Sequence, residues 1–69
     1  MKKYIIAPER CRWEEVEAMS HEAAYAAVCC WYGPERRVAV IDAESGETAI
    51  FTRSIDRCGN LKEIRRWKA

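Results

Sequence analysis

The chain has 69 residues, of which 49% are hydrophobic and 33% charged, and its formal net charge is +1. This composition is too apolar for a disordered segment, and the length allows one small core, so we expect a single domain over residues 1–69. The near-neutral charge predicts no long-range attraction to nucleic acid or to an anionic membrane, and no apolar run approaches the roughly 20 residues of a membrane-spanning helix.

The first half of the chain predicts two strands and a helix. Residues Lys3–Ala7 are β-branched or aromatic and predict a strand that Pro8 ends. Trp13–Ala18 fits either a helix or a strand. One helix over Glu9–Tyr32 would be about 36 Å long, too long for a domain whose radius of gyration should be about 11 Å. We therefore expect a second strand around Trp13–Ala18 and a break at Ser20, whose hydroxyl can cap the next turn.

The segment His21–Tyr32 predicts the main helix. Its twelve residues carry one formal charge, at Glu22, whereas the rest of the chain is rich in charged residues. Gly33 in a left-handed conformation and Pro34 should end the helix. An inner stripe should face the sheet, formed by Ala24, Ala27, Val28 and Trp31. His21, in the first turn, should be exposed.

The outer stripe of this helix is the first candidate binding site. Its predicted members are Glu22, Tyr25, Cys29 and Tyr32. Tyrosine is enriched in the centres of protein interfaces because it combines a large rigid area with a polar group. We expect this stripe to contact a protein partner or a second copy of the chain; the alternative is that the C-terminal tail covers it.

The second half of the chain predicts a hairpin. Arg37–Asp42 and Glu47–Arg53 are strand-like, and the turn Ala43–Gly46 between them offers Gly46 for a positive φ. Asn60–Glu63 resembles a capping box and favours a short helix through Lys68, while a fifth strand is the other interpretation. The predicted fold class is α+β, an antiparallel sheet of four to five strands with one main helix packed across one face (ββαββ-like), with or without the short C-terminal helix.

Charge is unevenly distributed along the sequence. An acidic run precedes the helix and enters its first turn, and the last part of the chain is basic. The candidate contacts for nucleic acid or for an acidic partner are Arg53, Arg57, Arg65, Arg66 and Lys68. Trp67 among them could stack on a base, although in so small a domain it could equally close the core.

The cysteines do not indicate a catalytic site or a metal site. Cys30 and Arg36 have the Cys-x5-Arg spacing of cysteine-dependent phosphatases, but a helix precedes the cysteine where that loop needs a strand. Adjacent Cys29 and Cys30 point to different helix faces and do not suit a zinc site. No signal peptide is evident, so we expect a cytoplasmic protein with reduced thiols, no metal, no cofactor, no membrane attachment and no enzymatic activity.

The order of elements resembles a known family. The start Met-Lys-Lys-Tyr-Ile-Ile6, the segment Val16-Glu-Ala-Met-Ser20 followed by an alanine-rich helix, and the hairpin after it are similar to small phage-encoded anti-CRISPR inhibitors of type I systems. The similarity covers the organisation of residues 1–53. It implies a small antiparallel sheet with one helix that inhibits without catalysis, by occupying a protein surface or a nucleic-acid channel of the CRISPR surveillance complex. The resemblance assigns no functional residue.

Overall fold

The computed structural model describes residues 1–67 and contains one antiparallel sheet with one helix. The strands are β1 (Lys2–Pro8), β2 (Glu14–Ala18), β3 (Val38–Asp42), β4 (Thr48–Ile55) and β5 (Leu61–Trp67). Helix α1 (His21–Val28) follows β2 and continues into a 3₁₀ turn at Cys29–Trp31. The α+β class, the antiparallel sheet and the single main helix are thus confirmed.

The sheet order is β2-β1-β3-β4-β5, and it differs from a simple ββαββ arrangement. β1 lies between β2 and β3, because the chain returns after α1 to pair β3 with the free edge of β1. β5 extends the hairpin of β3 and β4 as a fifth strand. The short C-terminal helix is therefore wrong over Leu61–Trp67, since seven residues make a marginal helix alone but gain a full ladder beside β4. Lys68 lies outside the described residues.

The predicted break at Ser20 is confirmed. The Ser20 hydroxyl oxygen accepts a hydrogen bond from the Ala23 backbone N–H at 3.1 Å and caps α1. The predicted end of the helix is wrong, because α1 stops at Val28 and the chain leaves through the 3₁₀ turn with Tyr32 already extended. Gly33 has no positive φ and does not close the helix; the left-handed residue in this segment is Glu35, with φ of 66°, in the turn before β3.

The two faces of the sheet have different environments. Alternate residues of the central strands point toward α1 and are almost fully buried, among them Tyr4, Ile6, Val38, Val40 and Phe51. We call this side the helix face. The residues between them form the open face, where the described residues place no helix and where isoleucines of β1, β3 and β4 remain half-buried. The core is therefore a single layer between the helix face and α1.

Two polar residues are buried at one end of this layer. His21 was expected to be exposed, but it is 6% exposed, meets the Tyr4 ring edge-on at 4.9 Å and has its Nε2 2.9 Å from the Glu47 carbonyl oxygen. Asp42 accepts hydrogen bonds from the backbone N–H groups of Glu44 and Ser45. These bonds first, and Lys2 beside them, hold the pKa of Asp42 below its usual value.

The tight turn after Asp42 joins β3 to β4, as predicted. Gly46 has a φ of 81°, and its N–H donates to the Asp42 carbonyl oxygen at 2.8 Å. A side chain at this φ would be strained, so glycine has a definite role here. Among the described residues no helix is long and apolar enough to span a membrane.

Candidate functional site

The helix does not present the predicted outer stripe. Its buried residues are His21, Ala24, Tyr25 and Val28, which follow the i, i+3, i+4, i+7 spacing of one helical face. Tyr25 is 1% exposed and stacks on Phe51 with ring centroids 5.0 Å apart. The predicted inward positions of Ala24 and Val28 are confirmed, whereas Ala27 and Trp31 are exposed.

The proposal that Tyr25 and Cys29 face a partner is therefore corrected. Cys29 is 6% exposed, and burial is the main factor that raises the pKa of its thiol. Burial likewise raises the pKa of Tyr25 to about 12. The stripe was misplaced because the large Tyr25 ring, rather than the small Ala27, fills the space above Phe51.

The other two predicted members lie at the margins of the core. Tyr32 is half-buried and packs against the core cluster, and burial raises the pKa of its phenol. Glu22 is exposed and forms an ion pair with Arg66, whose hydrogen bond lowers the pKa of that carboxyl. Neither side chain is free of intramolecular contacts, and the outer side of α1 consists mostly of alanine.

The predicted basic patch is divided rather than continuous. Arg53 is half-buried, with Nε 2.9 Å from the Cys29 carbonyl oxygen and one terminal nitrogen 2.7 Å from that of Tyr32. It therefore caps the end of the helical segment, where the Cys29 carbonyl oxygen also accepts from the Tyr32 backbone N–H at 3.4 Å and where no basic residue lies in the last turn of α1. This role in the fold was missed because Arg53 is 24 residues away from Cys29 in the sequence.

Arg65 and Arg66 point to opposite faces of β5. Arg66 lies on the helix face, paired with Glu22 and with its guanidinium 5.8 Å from the centre of the Phe51 ring. Arg65 lies on the open face, paired with Glu63 at 3.2 Å and placed 5.3 Å from the centre of the Trp67 ring. Arg57 is in the exposed turn before β5, and Lys68 lies outside the described residues.

The Trp67 side chain is partly exposed and also forms a hydrogen bond within the sheet. Its indole N–H donates to the Thr52 hydroxyl oxygen at 2.9 Å, and the ring is 46% exposed. Thr52 is consequently 7% exposed although it lies on the open face. Trp67 therefore does not close the core, which lies on the helix face, and the stacking interpretation stays a prediction.

The sequence did not predict a cluster of exposed aliphatic side chains on β4 and β5. Ser54 pairs with Glu63 and Ile55 then pairs with Leu61, so Lys62 is an extra residue, a β-bulge in β5. Directly paired residues share a face, and alternate residues of a strand do so too. The bulge thus brings three residues to the helix face, and we call them the apolar strip: Ile55, Leu61 and Ile64.

The apolar strip lies beyond the helix. α1 packs over β1, β2 and β3, and the strip residues on β4 and β5 are 38%, 54% and 38% exposed, in the order Ile55, Leu61, Ile64. The hairpin of β4 and β5 thus exposes three aliphatic side chains on one face. The three-residue spacing of Leu61, Ile64 and Trp67 is closer to the helical period than to that of a strand, so it did not reveal the strip, which depends on the bulge at Lys62.

The two edges of the sheet carry opposite charge. β2 forms one edge and contains Glu14, Glu15 and Glu17 with no basic residue. β5 forms the other edge, and all seven of its residues are exposed. It contains Lys62, Arg65 and Arg66 against one carboxylate, Glu63.

The cysteines are free thiols. Cys29 is buried, and the other three, Cys11, Cys30 and Cys58, are exposed. Arg36, which would complete a Cys-x5-Arg loop with Cys30, instead donates from one terminal nitrogen to the Cys11 sulfur and to the Glu9 carbonyl oxygen, each at 2.9 Å. Within residues 1–67 no group of three His, Cys, Asp or Glu side chains is placed to hold a metal ion.

Comparison with known proteins gives no further assignment. No protein-family model matches the chain, and neither the curated proteins nor the solved structures give a significant match.

Proposed function

We propose that the protein acts by binding another protein without catalysis, and that the apolar strip is its contact surface. The observation that carries the proposal is that Ile55, Leu61 and Ile64 lie together on one face and remain one-third to one-half exposed. Full burial of such a side chain from an exposed state contributes roughly 1.5–3 kcal/mol, so covering the remaining area should contribute about 1 kcal/mol each.

The charges around the strip define the partner. From Ile55 to Trp67 there are four cationic side chains and two carboxylates, and Glu22 already neutralises Arg66. Arg57 and Lys62 remain near the strip. The complementary surface is an apolar patch with carboxylates at its rim, because complementary charge increases the association rate and disfavours wrong partners.

The resemblance to anti-CRISPR inhibitors gives this proposal its concrete form. We propose that the protein occupies a protein surface of a type I CRISPR surveillance complex, which places its action in the cytoplasm. A small domain with one exposed apolar strip suits inhibition by covering a surface of the target, since this mode of inhibition needs a docking surface and no reaction centre.

Binding to a purified type I surveillance complex tests the proposal. Substituting Ile55→Glu or Leu61→Glu should weaken binding by at least about tenfold, since about 1.4 kcal/mol corresponds to a factor of ten. The matched control is Met19→Glu: Met19 is 81% exposed and follows β2 at the opposite edge of the sheet. Equal affinities for Ile55→Glu, Met19→Glu and the unchanged protein would exclude the strip, and absence of any binding would exclude this partner.

Nucleic acid is the second candidate partner, supported by the cation–aromatic pair of Arg65 and Trp67 on the open face. Stacked bases and neutralised phosphates predict that binding of a labelled single-stranded oligonucleotide weakens with salt and with Arg65→Ala. Arg53, Arg65 and Arg66 already have intramolecular partners, which reduces the number of cationic groups available to a phosphate backbone. A flat salt dependence rejects this candidate.

A further inference from the structure

The free edge of β5 can pair with an identical strand. β4 occupies one side of β5, and β5 is the last strand in the sheet order, so within residues 1–67 its other side presents backbone N–H and C=O groups without a strand partner. β5 contains no proline, and all seven residues are exposed. Such an edge is a template for another strand unless charge or shape prevents pairing.

Symmetry limits the registers in which β5 can pair with itself. A two-fold axis normal to the sheet makes the pair antiparallel and keeps both helices on one side. In an antiparallel pair, residues directly opposite each other point to the same face of the sheet. A symmetric pair of β5 strands therefore has one residue that lies opposite the same residue of the second copy, and the axis passes beside it. The three central residues of β5 are the candidate positions for the axis: Glu63, Ile64 and Arg65.

The charges of β5 select one of these registers. An axis at Glu63 sets two carboxylates opposite each other, and an axis at Arg65 sets two guanidinium groups opposite each other. An axis at Ile64 sets two isoleucines together and places Glu63 of each copy opposite Arg65 of the other. Lys62 then faces Arg66 of the other copy, but Lys62 is displaced by the bulge and Arg66 is paired with Glu22.

We propose that the protein forms a homodimer in which β5 pairs with β5 of a second copy, antiparallel and centred on Ile64. The result is a ten-stranded continuous sheet with a helix from each copy on the same side. The two copies of Ile64 lie opposite each other at the two-fold axis. The dimer depends on the β5 edge alone and is independent of the proposed partner.

The acidic edge explains why assembly should stop at two copies. After β5 pairs with β5, both remaining edges of the sheet are β2, each with three glutamates in five residues. Glu15 pairs with Lys3 at 3.6 Å, and the remaining carboxylates make two such edges repel each other; like charge on edge strands is one way in which native sheets avoid further growth. A two-fold contact between like edges closes, whereas pairing β5 with β2 of another copy would continue into a filament.

Analytical ultracentrifugation of the full chain over about 1–200 μM tests the dimer, a range that spans micromolar dissociation constants. We expect a reversible shift from one to two chain masses. Glu63→Arg and Arg65→Glu each set like charges opposite each other twice and should weaken the dimer by about tenfold or more. Both side chains are more than half exposed, so the variants should keep the monomer fold, as circular dichroism can verify.

Charge reversal in pairs provides the decisive control. The double variant E63R/R65E restores opposite charges in the same register and should dimerise like the original chain. Mixing the two single variants should likewise give a heterodimer that neither forms alone. Arg12→Glu, a charge change in the exposed loop before β2, should leave the dissociation constant within about twofold.

Three results would overturn the proposal: a monomer at every concentration, an assembly larger than two chains, or a double variant that fails to recover. The test is separable from that of the proposed function, because Ile55 lies on β4 and away from the free edge. Ile55→Glu should reduce partner binding and leave the dimer intact.

Discussion

Replacing Arg53 with alanine should destabilise the fold more than any other removal of a cationic side chain. The guanidinium donates to the carbonyl oxygens of Cys29 and Tyr32 at 2.9 and 2.7 Å. Hydrogen bonds that involve a charged group contribute about 1.5–3 kcal/mol net each. Because Arg53 is half-buried rather than fully enclosed, we expect Arg53→Ala to lower the free energy of unfolding by about 2–4 kcal/mol.

That loss is large relative to the total stability of the domain. A chain of this length should have a free energy of unfolding of about 3–10 kcal/mol. Each kcal/mol corresponds to about 4–8 °C in Tm for a domain of this size, so Tm should fall by roughly 10–30 °C. Urea denaturation followed by circular dichroism at 222 nm, together with a thermal scan, measures both quantities.

Two control variants separate the geometry of this contact from its charge. Arg53→Lys keeps the charge but cannot reach two carbonyl oxygens with a rigid fork, so it should recover only part of the stability. Arg57→Ala removes a cation from an exposed turn and should change stability by less than about 0.5 kcal/mol. If Arg53→Ala is as mild as Arg57→Ala, the capping role of Arg53 is refuted.

Three further predictions follow from single features of the fold. Gly46→Ala should lower the free energy of unfolding by about 1–2 kcal/mol because residue 46 has a positive φ. Gly33→Ala should be neutral or slightly stabilising, because no atom lies within 4 Å of the added carbon. Equal effects of the two variants in urea denaturation would contradict the positive φ of residue 46. The pKa of Tyr25 is raised to about 12, above its value in the unfolded chain, so stability should be intact below about pH 10 and fall as the pH rises from there toward 12. Tyr25→Phe should remove that part of the alkaline decline, which denaturation curves at successive pH values would show; an unchanged decline argues against the burial of this phenol. The pKa of Asp42 is lower in the folded than in the unfolded chain, so its contribution to stability is present above the unfolded pKa near 4 and is lost as the pH falls through the folded pKa. Asp42→Asn should therefore make the loss of stability at acid pH shallower. An identical dependence of stability on acid pH would contradict the contacts of Asp42 in the turn.

Local patterns in the sequence predicted most of the elements correctly. The strand ended by Pro8, the cap at Ser20 and the hairpin closed by Gly46 all depend on backbone conformation and on hydrogen bonds between near neighbours. Such interactions leave a recognisable residue pattern within a few positions. The α+β class followed from their order.

The helix faces could not be assigned from the sequence with the same success. Tyr25 and Ala27 are two residues apart, and either side of this weakly amphipathic helix could face the sheet by composition. The choice depended on Phe51, which lies 26 residues beyond Tyr25 and provides the surface on which its ring stacks. A contact of that kind has no local signature.

The sequence by itself therefore determined the element types, the tight turns and the opposite charge of the segments that become β2 and β5. Only the tertiary structure placed these two segments at opposite edges of one sheet, buried Tyr25 and Cys29, and directed Arg53 to the end of the helix. It also brought Ile55 beside Leu61 through the bulge. The physical reason is the range of the interactions: turns and caps join residues a few positions apart, whereas strand order, burial and exposed surface depend on contacts between distant segments.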